Sequence, residues 1–454
     1  MEAWEDSCKS TLLKIKTKAN NWRNLETIDD SSSTRSYAAT AYYAPNVNRP
    51  NLTVLTEAQV NKIVLSKAHG SVRATSVSFT SKGSTYNVKA SKEVLLCAGA
   101  FQSPQILELS GIGSKEILTP LEIPVVVENP NVGENLQDQP FVPLSWETED
   151  GVLTLDSLQV PGAVDAVLAQ FYSSQSGLLV SFIQSSAYLS FEQIRGETSK
   201  LAIHESSTPP KYKTPSLHKQ FELQKASLED PLDTTAMLIL LEEGLPLPVP
   251  AGQTSTPAPG SFLSASAILC HPFSRGSVHI ASNDPTAKPL IDYDYLSNPL
   301  DLKILEDTVF FMQDLATKEP LASVLKDGGK AFYPGYSHQT KDTIEAWCKA
   351  TLNTSDHPMG SCSMLPKDEG GVVDDRLKVY DVENLRVVDA SIFPMTIRSN
   401  PVTTVYAVAE KAAVMIRDYW SAVKFQEGEW KGHKRGASGE GVNGKGSGKR
   451  SKRG

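Results

Sequence analysis

Residues 94–113, VLLCAGAFQSPQILELSGIG, read as strand, tight turn, helix and stop. Val94 to Ala98 is a short continuous apolar run, the pattern of a strand buried on both faces within a parallel sheet. Gly99 lets the backbone turn closely at the strand end. Ser103 is a good N-cap and Pro104 is tolerated in a first turn, so the helix is expected to begin there. Gly111 and Gly113 end it. A helix N-terminus at the carboxyl end of a strand suits a phosphate or another anion. Strand–turn–helix is also a common structural unit, so this stretch points to an α/β fold before it points to any chemistry.

The same reading extends outward. Residues 385–388 (LRVV) form a second buried-strand pattern, and residues 401–420 carry helical spacing at Val402, Val405, Ala409, Ala412, Ala413 and Ile416. Residues 52–65 and 72–96 are rich in Val, Thr and Ile, and Gly83-Ser84 between alternating runs predicts a hairpin. The first thirty residues read as a helix and a polar loop. Residues 140–345 differ: short strands, long loops, a Pro-rich connection over 245–250, an edge or hairpin strand over 275–280 and an amphipathic helix over 299–317. That section is expected to be α+β with an antiparallel sheet. The fold class is therefore an incomplete parallel-sheet α/β domain plus an α+β domain. The expected boundaries are 1–139 and 346–423 for the first domain, 140–345 for the second, and 424–454 for a disordered basic tail of Gly, Lys, Arg and Ser. Within that tail Gly439, Gly441 and Gly444 match GxGxxG, but the dinucleotide fingerprint needs a strand before it and a helix after it.

Composition narrows the classes. With 454 residues and 40% hydrophobic content, a sizeable core is available. A net charge of −8 argues against a nucleic-acid-binding globular part. Cys8, Cys97, Cys270, Cys348 and Cys362 are scattered and odd in number, which predicts neither a metal site nor a disulfide framework but free, mostly buried thiols. No apolar run reaches eighteen residues, so no membrane-spanning helix is expected. Residues 1–30 lack the apolar core of a secretory signal, and neither localisation nor oligomeric state follows from the sequence.

Two further stretches carry chemistry. In Ser355-Asp356-His357-Pro358-Met359-Gly360, a histidine before proline and near glycine lies in a loop, where scaffold-held catalytic groups concentrate. Histidine is the natural general base near neutral pH, although a lone histidine is more often structural. In residues 385–403 a strand ends at Asp389 and a loop leads to a helix, with Asn400 as N-cap candidate and Pro401 as the first helical position. Such a helix N-terminus would stabilise negative charge on a bound cofactor; alternatively it caps an ordinary core helix.

In residues and order these stretches resemble the glucose-methanol-choline (GMC) oxidoreductases, FAD-dependent enzymes. Residues 99–113 are similar to the family's second signature. Residues 49–60 resemble its flavin-adenine segment, and residues 271–292 a recurring part of its substrate domain. Residues 132–138 (VGENLQD) resemble a loop that usually closes with His, where this chain has Gln139. The stretches around His357 and Asp389 resemble the C-terminal catalytic block. The likeness runs from about Arg35 to Trp420 and is weakest over about 145–260.

What the resemblance implies is an FAD-linked oxidation of the CH–OH group of a small-molecule alcohol. His357 takes the hydroxyl proton while hydride leaves for flavin N5, and Asn400 hydrogen-bonds the substrate oxygen. Asparagine cannot serve as a base, and an N-cap role would compete for its side chain. Val60, Asp389, Ala390, Pro401 and Val402 would approach the flavin, Val60 on the adenine side. No metal, nucleic acid or membrane partner is implied. The family begins with a Gly-rich dinucleotide-binding βαβ unit, and this chain is expected to lack it. A lyase or cyclase without net redox, or an inactive truncated fragment, are the alternatives.

Overall fold

A computed structural model of the chain describes residues 20–23, 27–29, 31–68, 70–180, 185–196, 199, 214–245, 259–330 and 340–436. The glycine-rich match at 439–444 and most of the expected N-terminal helix lie outside these residues. Residues 20–23 form a strand instead, β1 (Asn20–Arg23).

The next elements make an antiparallel meander: β2 (Gln59–Ala68), β3 (Ser71–Ser81) and β4 (Ser84–Lys89). The hairpin turn is Lys82-Gly83, both with positive φ (49° and 76°). That backbone matches the right-handed strand twist, and glycine adopts it freely. The expected strand over 52–65 starts only at Gln59. Leu52, Val54 and Leu55 are 41%, 53% and 59% exposed, and strand-forming side chains there find no partner strand among the described residues.

Strand β5 (Val94–Leu96) pairs in parallel with Leu385–Val387, which confirms the parallel element expected from two short apolar runs. Burial is one-sided: Val94 and Leu96 are buried, but Leu95 is 46% exposed. The buried ion pair Arg386–Glu93 (2.6 Å) flanks the pairing. Helix α1 (Gly99–Leu109) starts five residues earlier than expected, leaving Pro104 in its interior. An interior proline removes the N–H that would serve the carbonyl of residue 100. The Ser361 hydroxyl donates to that Ala100 carbonyl (2.5 Å) in its place.

A six-stranded antiparallel sheet forms from β1, β7 (Pro140–Glu147), β8 (Ser185–Leu189), β9 (Ala236–Leu241), β10 (Phe262–Leu269) and β13 (Asn353–Thr354), in the order β1-β8-β9-β10-β7-β13. Its outer strands lie beyond the expected 140–345 boundaries. Alternation sorts the faces. Leu144, Trp146, Leu189, Leu238 and Ala265 pack in one core with Phe221 and Leu228 of helix α2 (Pro215–Glu229), Ile304, Val309 and Met312 of helix α3 (Pro299–Ala316), and Ile344 and Cys348 of α4 (Lys341–Thr351). Tyr188, Met237, Ile239 and Ile268 gather on the opposite face. Helix α3 begins as its sequence predicts, with Pro299 in the first turn and the Asn298 side chain accepting from the Leu300 N–H.

A smaller antiparallel sheet is built from β6 (Glu134–Leu136), β11 (Gly276–His279) and β12 (Leu290–Asp292). Strand β11 lies in its centre, not at an edge, and pairs antiparallel with the next strand in sequence, as the hairpin alternative expects. His279 links this sheet to α1: its Nδ1 is 2.8 Å from Glu108 Oε1 and its Nε2 is 3.5 Å from Glu134 Oε1. Burial alone would depress its pKa, but the hydrogen bonds and charges of Glu108 and Glu134 outweigh burial and hold it up at about 9. A raised folded-state pKa stabilises fully below the unfolded value near 6.5, and that contribution is lost as pH rises through about 9. It amounts to roughly 3 kcal/mol. Thermal melts should therefore show wild-type stability falling between pH 7 and 10, with His279→Gln nearly flat over that window. Parallel pH profiles of the two proteins would refute the assignment.

By its contacts the chain divides into two compact units, Met1–Val402 and Thr403–Gly454. The second is dominated by α5 (Val402–Gly436). That helix outruns the expected disorder from residue 424, because Gln426, Glu427, Glu429 and Lys431 are good helix formers. Residues 437–454 lie outside the described part.

Candidate active site

The loop carrying His357 is zipped to the segment 135–141. Strand β13 pairs with Pro140 and Phe141, the Ser355 N–H donates to the Gln139 carbonyl (3.2 Å), and Gln137 and Met359 exchange backbone bonds (2.9 and 2.8 Å). Gly360 sits at φ +97°, and a Cβ there would lie 2.3 Å from the Asn135 carbonyl oxygen, so this crossing requires glycine.

Alternation along residues 135–139 does two jobs. Asp138, 2% exposed, faces the histidine loop. Its Oδ1 accepts from the His357 N–H (2.9 Å), and its Oδ2 accepts from the Thr354 hydroxyl (2.6 Å) and the Tyr295 hydroxyl. The amides of Asn135, Gln137 and Gln139, spaced two apart, hold the loop leading to Asn400. Asn135 Nδ2 and Gln137 Nε2 both donate to the Pro394 carbonyl (3.0 Å each), and Gln137 Oε1 accepts from the Thr396 N–H (3.1 Å). Gln139 Nε2 donates to the carbonyls of Ile397 (2.7 Å) and Cys270 (3.0 Å).

These supports bring the two expected catalytic residues together. Asn400 Nδ2 is 3.2 Å from His357 Nε2, and Gln139 Oε1 is 2.8 Å from His357 Nδ1. The half-buried imidazole has its pKa lowered by burial, against the opposing charges of Asp138 and Asp356. It is therefore neutral near pH 7 and can accept a proton. Asn400 is exposed and turns its amide to the histidine.

The other expected positions are distributed differently. The anion at the start of α1 is Asp389 itself. Its Oδ2 accepts from the Gly99 N–H (3.0 Å) and the Ser103 hydroxyl (2.6 Å), and its Oδ1 from the Ser391 N–H and hydroxyl (2.8 and 2.5 Å). The carboxylate ties the two parallel strands' exits together. Ser103 is an interior residue of the helix, not its cap. Ala390 is partly exposed, and its carbonyl accepts from the Gly360 N–H (3.3 Å). Pro401 is half-buried, Val402 is exposed, and Val60 is half-buried on β2. A cavity of about 640 Å³ opens elsewhere, between Asn131, Glu134, Arg275 and Glu369, and none of the seven expected site residues lines it.

Gln139 and Asp138 are the functional residues that sequence reasoning passed over. Gln139 stood out only as glutamine where the resemblance leads to expect histidine. The amide spacing at 135, 137 and 139 was the available signal.

Comparison with known proteins fits this geometry. The N-terminal domain of the GMC oxidoreductases matches residues 23–141, and their C-terminal domain matches residues 272–409. The chain belongs to the GMC oxidoreductase family. This family binds FAD. The match from residue 23 overturns the expectation that the family's N-terminal segment is missing. A dehydrogenase of Armillaria gallica is 35% identical over 419 residues, covering 87% of this chain and 62% of that protein. The GMC oxidoreductase family protein Mala s 12 of Malassezia sympodialis is 32% identical over 404 residues, covering 86% and 60%. The chain thus spans about three-fifths of the length of these curated relatives. Among solved structures, an FAD-dependent oxidoreductase from Chaetomium thermophilum superposes with a TM-score of 0.79 at 27% identity, over 92% of this chain and 72% of that one. A fungal aryl-alcohol oxidase superposes at 0.74 and 25% identity, over 91% and 71%.

Proposed function

We propose that this GMC oxidoreductase oxidises the CH–OH group of a small-molecule alcohol to a carbonyl, with His357 as the base and FAD as the electron acceptor. The observation that carries the proposal is the pairing of a neutral, half-buried imidazole with an exposed amide donor at 3.2 Å, both held by backbone-anchored side chains.

Two features of the protein fit the cofactor. Strand β2 pairs on one side only among the described residues, which leaves outward main-chain groups near Val60 for a base edge. At the carboxyl end of the parallel strands, a Cβ on Gly99 would meet nothing within 4 Å, so this turn is open. Val60, Ala390, Pro401 and Val402 are the proposed contacts. When bound, FAD would supply the acceptor for the carbinol hydride.

The protein handles the proton. A substrate hydroxyl placed between the two side chains gives its proton to His357 Nε2, while the Asn400 amide donates to the oxygen as it gains negative charge. The C–O bond order rises as hydride leaves, so both electrons of the C–H bond depart with the hydride and the proton stays on the imidazole. Positioning is supplied by Asp138 and Gln139 through the bonds above.

The direction of the His357 pKa makes this testable. The base form is present above its depressed pKa, so the rate of flavin reduction by alcohol should rise with pH to a plateau, with its midpoint below 6.5. A midpoint clearly above 6.5 would contradict the neutral resting imidazole.

A further inference from the structure

We propose that Gln139 is a positioning residue that fixes the tautomer of His357, placing the ring proton on Nδ1 and leaving Nε2 bare toward Asn400. The inference rests on the reading of His357 as the base and adds what keeps its reactive nitrogen unprotonated.

The argument starts from hydrogen-bond capacity. A glutamine side chain has one acceptor oxygen and one donor NH₂ at two ends of the same shape. Here the surroundings settle which end is which. The nitrogen end lies 2.7 Å from the Ile397 carbonyl oxygen and 3.0 Å from that of Cys270. Turning the amide over would set its oxygen against two carbonyl oxygens, in a residue with 0% exposure and no solvent to relieve the repulsion. The amide is therefore locked with Oε1 toward His357.

An oxygen that can only accept lies 2.8 Å from Nδ1, so Nδ1 must donate. A neutral imidazole carries one N–H, so Nε2 holds the lone pair. The Asn400 contact agrees, because its NH₂ end can donate to a bare Nε2 at 3.2 Å. The same glutamine thus orients the base and, through Ile397, the loop that delivers Asn400.

Glutamine suits this position for a specific reason. The site calls for two donors and one acceptor on a single side chain. A neutral histidine, the residue expected here from the resemblance, offers one donor and one acceptor. It would leave a buried carbonyl unmatched or lose the bond to His357.

The test reads the tautomer directly on the full chain without flavin. Two-bond ¹H–¹⁵N correlation spectra of ¹⁵N-histidine-labelled protein, near neutral pH, report which ring nitrogen bears the proton, and a His357→Gln variant identifies the resonances. The expected wild-type pattern is a protonated Nδ1 and a bare Nε2. Gln139→Met removes the acceptor and should let the Nε2–H form appear, a shift of about tenfold in the tautomer ratio. A merely structural glutamine would lower stability in Gln139→Met without moving the tautomer. Wild-type His357 protonated on Nε2, or an unchanged pattern in Gln139→Met, overturns the inference. Should Gln139→Met not fold, the wild-type spectrum still decides it. A correct tautomer in a protein whose flavin no alcohol reduces would instead sink the proposed reaction and leave the positioning claim standing.

Discussion

Replacing His357 with Ala is expected to lower alcohol-driven flavin reduction by roughly 10²- to 10⁴-fold, the usual worth of a positioned general base. FAD retention should be unchanged, because the imidazole is bonded to Gln139 and Asn400 rather than to the positions proposed for the cofactor. The comparison is made on samples matched for bound flavin by absorbance, with reduction followed after anaerobic mixing. The backbone N–H of residue 357 still reaches Asp138 in the variant, so the loop keeps its anchor and the loss reports on the ring. Turnover equal to wild type in a flavin-loaded His357→Ala sample would remove the histidine from the mechanism.

The largest stability loss in the site is expected from Asp138→Ala. This carboxylate is buried and accepts from three groups on two separate segments: the Tyr295 hydroxyl, the Thr354 hydroxyl and the His357 N–H. Removing it leaves all three donors in a place with little access to water, and each unmatched donor costs about 1–3 kcal/mol. A total near 3 kcal/mol or more follows after partial relaxation. The stacked pair Tyr293–Tyr295, with ring centroids 4.7 Å apart, loses its tether at the same time. Chemical denaturation should show the drop, and Asp138→Asn, which keeps an acceptor oxygen, should recover part of it. Denaturation midpoints of Asp138→Ala and wild type that coincide would show that the carboxylate is not the anchor of the histidine loop.

Much of the fold was legible because local chemistry and tertiary structure agree. The short runs at 94–96 and 385–387 carry the pattern of parallel strands, and they pair with each other in parallel. What could not be read is that the carboxylate of Asp389 accepts from the Gly99 N–H across a separation of 290 residues. The helix start was misplaced for a related reason. Proline at a first turn is the cheaper local solution, and only the distant Ser361 hydroxyl makes an interior Pro104 tolerable. Boundaries of the large sheet failed likewise, since β1 and β13 are too short to announce themselves and are strands because of their partners.

At the site, His357 and Asn400 were legible from loop punctuation and residue chemistry. Their mutual contact was not, nor was the machinery that makes it. Gln139 acts on a residue 218 positions away, and its role is visible only once both of its donor bonds are placed. A spacing of amides at 135, 137 and 139 carries the hint, yet nothing local says that the three side chains share one loop as their target.

The most direct test of the central claim is anaerobic mixing of the FAD-loaded chain with a series of primary alcohols while the flavin absorbance is recorded. The account predicts that an accepted alcohol bleaches the flavin and yields one equivalent of carbonyl product per flavin. Product formed with no bleaching would indicate chemistry without net redox, and flavin that no alcohol in the series reduces would contradict the proposed oxidation outright.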